Sequence, residues 1–178
     1  MVTAFIIGCE IGFWILVLAG LACRYLLRMK TLGAILLLLT PVVDLVLIIA
    51  TVIDLRGGAI ATTIHGISAI YIGVSIAYGH KMIKWADVRF AHRFAGGPAP
   101  APKPKYGAEH ASYERRMWLY HLLAWLIGGL VLLGMIWYVD DASRTESLLA
   151  MLRLWSIIVA IDFLYSFSFS IWPKKAKV

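Results

Sequence analysis

Charge is scarce in this chain and negative charge scarcer still: of 178 residues only 15% are charged, and Asp and Glu number 10 against 17 Lys and Arg. A soluble domain carries about 25% charged residues, so an ordinary water-facing surface is excluded. Cysteine is nearly missing. Cys9 and Cys23 lie fourteen residues apart on one predicted helix, a rise of about 21 Å that no disulfide spans. Of the 6 prolines, four fall between Pro98 and Pro104, which leaves the apolar stretches almost free of helix breakers. Signature motifs are missing as well. No HExxH, no CxxC and no pair of histidines at helical ligand spacing marks a metal centre, so none is expected. No G-x-S-x-G elbow supplies a nucleophile, and the Gly pairs at 57–58, 96–97 and 128–129 match no phosphate cradle. The sequence assigns no catalytic residue and no cofactor, and an enzyme is the weaker expectation. The N-terminus lacks a basic lead-in and an early cleavage site, so the first apolar segment is expected to stay.

What is abundant is apolar sequence, with 61% hydrophobic residues, gathered into runs too long for buried core helices. The pattern predicts an all-α, polytopic membrane helix bundle with five transmembrane helices, at about 3–28, 32–53, 59–79, 117–139 and 148–172. Each is long enough to cross roughly 30 Å of hydrocarbon with some tilt. "RMKTLG", "DLRGG" and "DDASRTE" punctuate them. The corresponding segments are 1–79 (helices one to three), 80–116 (a cytoplasmic amphipathic segment and Pro-rich loop), 117–173 (helices four and five) and a basic tail, 174–178. Fourteen of the seventeen Lys and Arg fall in the first connection, the third connection and the tail. The positive-inside rule therefore places the N-terminus outside and the C-terminus inside. Tyr25, Trp85, Trp118, Tyr120 and Trp172 near the inner border, with Trp137 and Tyr138 near the outer, fit aromatic belts. A bilayer uses all of this positive charge, so no nucleic-acid partner is expected.

In residues 81–94, Ile83, Ala86, Phe90 and Phe94 share one helical face, opposite Lys81, Lys84, Arg89, His92 and Arg93. Such a helix lies in the headgroup layer, drawn to anionic lipid headgroups by about 1 kcal/mol per basic residue. Lys81, Lys84, Arg89 and Arg93 are accordingly the candidates for lipid or partner contact, while Asp87 at the apolar edge weakens the pattern. "GGPAPAPKPKYG" follows as an extended linker.

The stretch "HGISAIYIGVSIAYGHKMIKWADVRFAHRFAGGPAPAPKPKYG", followed by "ERRMWLYHLLAW", resembles small integral membrane proteins of Gram-positive bacteria labelled YmcC-like. The resemblance runs from about Glu10 to Trp125 and is most specific over 80–107. It implies a bacterial plasma-membrane location and carries over no activity and no residue role.

Five ionisable residues fall inside the predicted spans: Glu10, Asp44, His65, Arg153 and Asp162. Each charge at the bilayer centre costs at least about 2.5–3.5 kcal/mol, so each should face the bundle interior, be neutralised or find a partner. Rise per residue puts Arg153, His65 and Glu10 about 8–10 Å below the outer surface, Asp44 about 14 Å and Asp162 about 21 Å. Glu10 can pair with Arg153 or with His65. Asp44 has no basic residue at its depth, and Pro41, one turn earlier, frees the carbonyl of residue 37. Thr40, Asp44 and Thr51, then His65, Ser68 and Ser75, then Asp162, Ser166 and Ser170 form three polar stripes that predict one shared polar interior. Gly8-x-x-x-Gly12 and Gly129 are the candidates for close helix packing.

Two functions compete on these residues. In one, a proton- or cation-linked transporter or channel-like protein uses Asp44 as its central site, with Glu10 and His65 at the entry and Asp162 further in; with so few spans it requires a homo-oligomer. In the other, a membrane scaffold or accessory protein uses its basic loop to bind anionic lipid or an acidic partner. A lipid-acting enzyme on His65, Glu10 and Asp44 is a third reading that no spacing requires.

Overall fold

The computed structural model describes residues 2–94 and 96–175, apart from the side chains of Val2, Thr3, Ile6, Glu10, Pro41, Asp44 and Ile64. Five helices follow one another: α1 (Val2–Tyr25), α2 (Lys30–Arg56), α3 (Thr63–Phe94), α4 (Gly107–Val139) and α5 (Ala142–Ile171). α2 passes through Pro41 without a break. The missing proline N–H leaves the Leu37 carbonyl without its helical donor, and the Thr40 hydroxyl supplies one at 2.8 Å.

The connections set the topology. Between α1 and α2, Arg28 takes a left-handed backbone (φ 58°), and Met29 N–H reaches the Cys23 carbonyl at 2.8 Å. Between α4 and α5 stand only Asp140, left-handed with φ 50°, and Asp141. The Asp141 carboxylate accepts from the N–H groups of Ser143 and Arg144, which caps the start of α5. The turns after α2 and α4 therefore share one end of the bundle. The turns after α1 and α3, together with the tail, share the other, called here the basic end.

α3 is the hub. It packs on α4 and touches α1, α2 and α5. Small residues let it approach closely: a Cβ on Gly128 of α4 would lie 2.6 Å from the Trp155 ring and 2.9 Å from the Ala69 carbonyl. A Cβ on Gly73 would collide with the Ala124 carbonyl. In α1 and α2, Gly20 and Gly33 meet in the same manner, with Gly33 having room for no Cβ beside Gly20 and Arg24. The glycines expected to do this do not. Gly8 and Gly12 face open space, and Gly129 has only an ordinary contact with Leu152. Two buried clusters fill the bundle. Leu55, Ala69, Leu132, Met135 and Leu148 pack toward the end opposite the basic one. Ala77, Ala124, Trp155 and Val159 pack along α3, α4 and α5.

The exterior is apolar: Trp137 is 82% exposed, Leu38 73% and Leu130 69%. An apolar surface this continuous is stable only against lipid. α1, α2, α4 and α5 are each long and apolar enough to cross a bilayer. α3 is equally long but less apolar, as suits a helix that faces protein, with His65, Ser68 and Ala69 buried.

Helix bounds differ from those expected at the basic end. α3 and α4 run as single helices of 32 and 33 residues, about 48–50 Å each. Residues 81–94 are helical, and they continue α3. Part of their apolar face docks on α1: Phe90 stacks on Tyr25 at 4.9 Å, and Asp87 pairs with Arg24 at 3.1 Å. The carboxylate at the apolar edge thus has a partner on a neighbouring helix.

Candidate functional site

Three constellations of polar side chains emerge. The first joins α4 to α5. His121 Nδ1 lies 2.8 Å from Asp162 Oδ2, and the Trp155 indole N–H donates to His121 Nε2 at 3.2 Å. An indole N–H can only donate, so Nε2 accepts, and in the neutral imidazole the proton sits on Nδ1 and is given to Asp162. Ser166 reaches the other carboxylate oxygen at 3.5 Å. Trp118 N–H donates to the Val159 carbonyl at 3.1 Å, and Trp125 N–H to Ser156 Oγ at 3.1 Å. The dyad resembles a general-base arrangement, but its second nitrogen is occupied by the indole. In this geometry it holds two helices together and has no free nitrogen to take a substrate proton.

The second constellation closes the end opposite the basic one. Arg144, in the first turn of α5, donates from Nη2 to the Leu55 carbonyl and from Nε to the Ala59 carbonyl at 3.3 Å. Ala61 N–H returns a bond to the Arg144 carbonyl at 2.8 Å, and Ser147 Oγ donates to the Ala61 carbonyl at 2.6 Å. A cation is thereby set on the last carbonyls of α2, where the helix dipole is negative. His65 lies beside this clamp. Its Nδ1 accepts from Thr62 N–H at 2.9 Å, which turns Nε2 toward Asp54 at 3.6 Å. Arg56 covers the Tyr138 ring at 4.1 Å. Asp141 is held below the usual carboxylate range chiefly by the Ser143 hydroxyl, then by the N–H groups of Arg144 and Ser143 and the Arg144 charge, against the opposing effect of desolvation.

The third is the basic end. Lys84, Arg89 and Arg93 are exposed on the extension of α3, with Arg89 stacked on Trp85 at 4.0 Å. Lys81 is turned inward instead, 3.5 Å over the Tyr120 ring and 3.5 Å from Met117 Sδ. The Pro-rich strap is pinned at both ends, by His92 to the Gly97 carbonyl at 3.0 Å and by His110 to the Pro104 carbonyl at 3.1 Å. Gly107 N–H ties it to the Lys174 carbonyl of the tail at 2.9 Å.

The residues expected to share one polar interior are placed apart. His65 and Asp162 lie at different depths with different partners, because α3 begins only at Thr63 and puts His65 in its first turn, whereas Asp162 and His121 lie well within α5 and α4. Among the described residues the partner of His65 is Asp54. Arg153 is exposed. The stripe on α5 faces α4, where Ser170 accepts from Arg115 at 2.6 Å. Thr51 is fully buried, with no hydrogen-bond partner for its hydroxyl among the described residues. The side chains of Glu10 and Asp44 lie outside the described residues. Among the described residues no three His, Cys, Asp or Glu side chains gather as a metal site would require.

His121, Trp155, Asp54 and Arg144 were not singled out by sequence reasoning. A signal existed for the first. His121 lies about as far before the Asp140–Asp141 turn as Asp162 lies after it, so an antiparallel hairpin brings those two level.

No family model matches the chain. A relative from Bacillus subtilis, described as the uncharacterized membrane protein YmcC, is 49% identical over 172 residues, covering 97% of this chain and 92% of the relative. The chain belongs to the YmcC family. The likeness extends past Trp125 over nearly the whole length, and the apolar helices are those of a multi-pass membrane protein. No solved structure matches it.

Proposed function

We propose that all five helices cross a bacterial plasma membrane with the N-terminus outside. On that reading the protein is a non-catalytic scaffold or accessory protein whose basic end engages anionic headgroups or an acidic partner on the cytoplasmic side. Support for the fifth span is geometric. α3 starts at the end where α2 finishes and ends where α4 begins, packed among helices that are themselves apolar enough to cross.

The observation that carries the functional reading is the unneutralised charge at that end. Lys84, Arg89 and Arg93 stand exposed on a helix longer than the hydrocarbon needs. Among the described residues, the one pairing of Lys or Arg with a carboxylate there is Arg24 with Asp87. A surface of this kind attracts anionic lipid through long-range charge that salt screens. The polar contacts of His65 and Asp162 are closed sets at different depths, which favours this reading over a conduction path through Asp44.

The test uses the full chain in phosphatidylcholine nanodiscs, offered phosphatidylglycerol vesicles and scored by flotation. Recruitment at low salt should fall steeply as salt rises and should be lost when Lys81, Lys84, Arg89 and Arg93 are changed to Gln. Recruitment unchanged by those substitutions would overturn the proposal. Proton flux in proteoliposomes that disappears in Asp44→Asn would establish transport in its place.

A further inference from the structure

A groove of about 490 Å³ opens on the outer surface between α4 and α5, within the roughly 300–1,000 Å³ typical of small-molecule sites. Trp118, Leu122 and Trp125 form one wall, and Ser156, Ala160 and Phe163 line the other. Bulky rings would ordinarily collapse into such a trough. Here each indole is tethered by its N–H, Trp118 to the Val159 carbonyl and Trp125 to Ser156. Trp118 is held further by edge contacts with Phe163 and Phe167 at 5.0 and 5.4 Å. The rings are fixed across the two helices by these bonds, and the surface they present is apolar.

A charge lies beyond the lining residues, toward the basic end. Arg115 stands one turn before Trp118 and seven residues before Leu122, on the same stripe of α4; Ser170 is seven residues after Phe163, on the same stripe of α5. The two meet at 2.6 Å and bridge the helices where the groove runs out toward the basic end. Among the described residues no carboxylate pairs with Arg115. A trough of apolar rings continued by an unneutralised guanidinium and a hydroxyl is complementary to one class of amphiphile, an acyl chain carrying a phosphate.

We infer that the α4–α5 groove is a site for one anionic phospholipid of the leaflet at the basic end, its chain along Trp118 and Trp125 and its phosphate on Arg115 and Ser170. That leaflet is the inner one on the orientation proposed above. The site differs from the exposed charge of α3: it binds in the plane of the membrane, through one arginine and a shaped groove, and Lys84, Arg89 and Arg93 take no part in it.

The test is native mass spectrometry of the delipidated full chain in neutral detergent, titrated with phosphatidylglycerol or with diacylglycerol of the same chains, which lacks the phosphate. One phosphatidylglycerol should be retained, about tenfold more tightly than diacylglycerol, as the loss of a charge-assisted bond implies. Arg115→Gln should bring the two lipids level. Ala160→Phe fills the trough from an exposed position and should weaken both, and thermal melts check that each variant is folded. Neutralising Lys81, Lys84, Arg89 and Arg93 should leave the preference intact, so failure of the vesicle-recruitment reading and failure of this one are separable. Equal retention of the two lipids by the wild type, or a preference that survives Arg115→Gln, overturns the site. A dimer that dissociates on Ala160→Phe also overturns it, by assigning the groove to a second copy of the chain.

Discussion

His121 Nδ1 and Asp162 Oδ2 face each other at 2.8 Å across the α4–α5 interface, and Trp155 occupies the remaining nitrogen of the imidazole. A polar pair between lipid-facing helices stabilises them because its alternatives in hydrocarbon are poor. Interhelical hydrogen bonds in membranes average about 0.6 kcal/mol and reach about 1.7. His121→Ala removes two of them and strands a carboxylate and an indole N–H, so a loss of about 1–3 kcal/mol is expected. Asp162→Asn keeps the shape and an acceptor and should cost less. Thermal or denaturant unfolding in detergent measures both, and a His121→Ala chain as stable as the wild type would show that the pair contributes nothing.

Close packing at the hub gives a second expectation. Gly128 has no room for a Cβ between Trp155 and the Ala69 carbonyl, whereas its neighbour Gly129 has only an ordinary contact with Leu152. Overpacking costs about 1–3 kcal/mol, so Gly128→Ala should lower stability by that amount while Gly129→Ala leaves it near the wild type. Equal melting of the two variants would contradict the interface described.

These two sites also show what could be read in advance. Helix number and the apolar exterior follow from run length and charge spacing, because both reflect local composition. His121 was within reach of a register argument, since a two-residue turn fixes which positions of a hairpin are level. The Arg144 clamp was not, because it depends on where α2 stops and on a path through residues 57–62 that no periodicity describes. The polar stripes carried the same ambiguity. Stripes on separate helices record that each has a polar face, and only packing decides which faces meet.

Acid should weaken one cap in particular. The Asp141 carboxyl is depressed below its ordinary value of 3.8, first by the Ser143 hydroxyl. A group whose folded value lies below its unfolded one contributes fully above the unfolded value, and that contribution is lost as pH falls through the folded one. The difference in melting temperature between the wild type and Asp141→Ala should therefore hold at pH above about 5 and shrink below about pH 4. Asp141→Asn, a neutral cap, should show no such change over that range. A wild-type advantage that persists undiminished in strong acid would mean that the carboxylate charge is not what caps α5.

Arg144 makes the most localised prediction. Its guanidinium bonds two carbonyls on opposite sides of a turn, Leu55 and Ala59, while its own carbonyl receives Ala61 N–H. The planar fork allows both donations at once, which a lysine ammonium on a flexible stem does not reproduce. Removing it takes from the end of α2 the cation that bonds its carbonyl and loosens residues 57–62, which keep the backbone bond of Ala61 and its bond from Ser147, while the helices themselves remain packed. Hydrogen exchange should therefore accelerate at Gly57–His65 in Arg144→Ala, by about tenfold or more for the loss of hydrogen bonds to a charged donor. Arg144→Lys should fall between the two, and the exchange of α1 should be unchanged. Uniform acceleration throughout the chain would instead make Arg144 a contributor to global stability, and unaltered exchange at Gly57–His65 would remove the clamp from the account of how α2 is joined to α5.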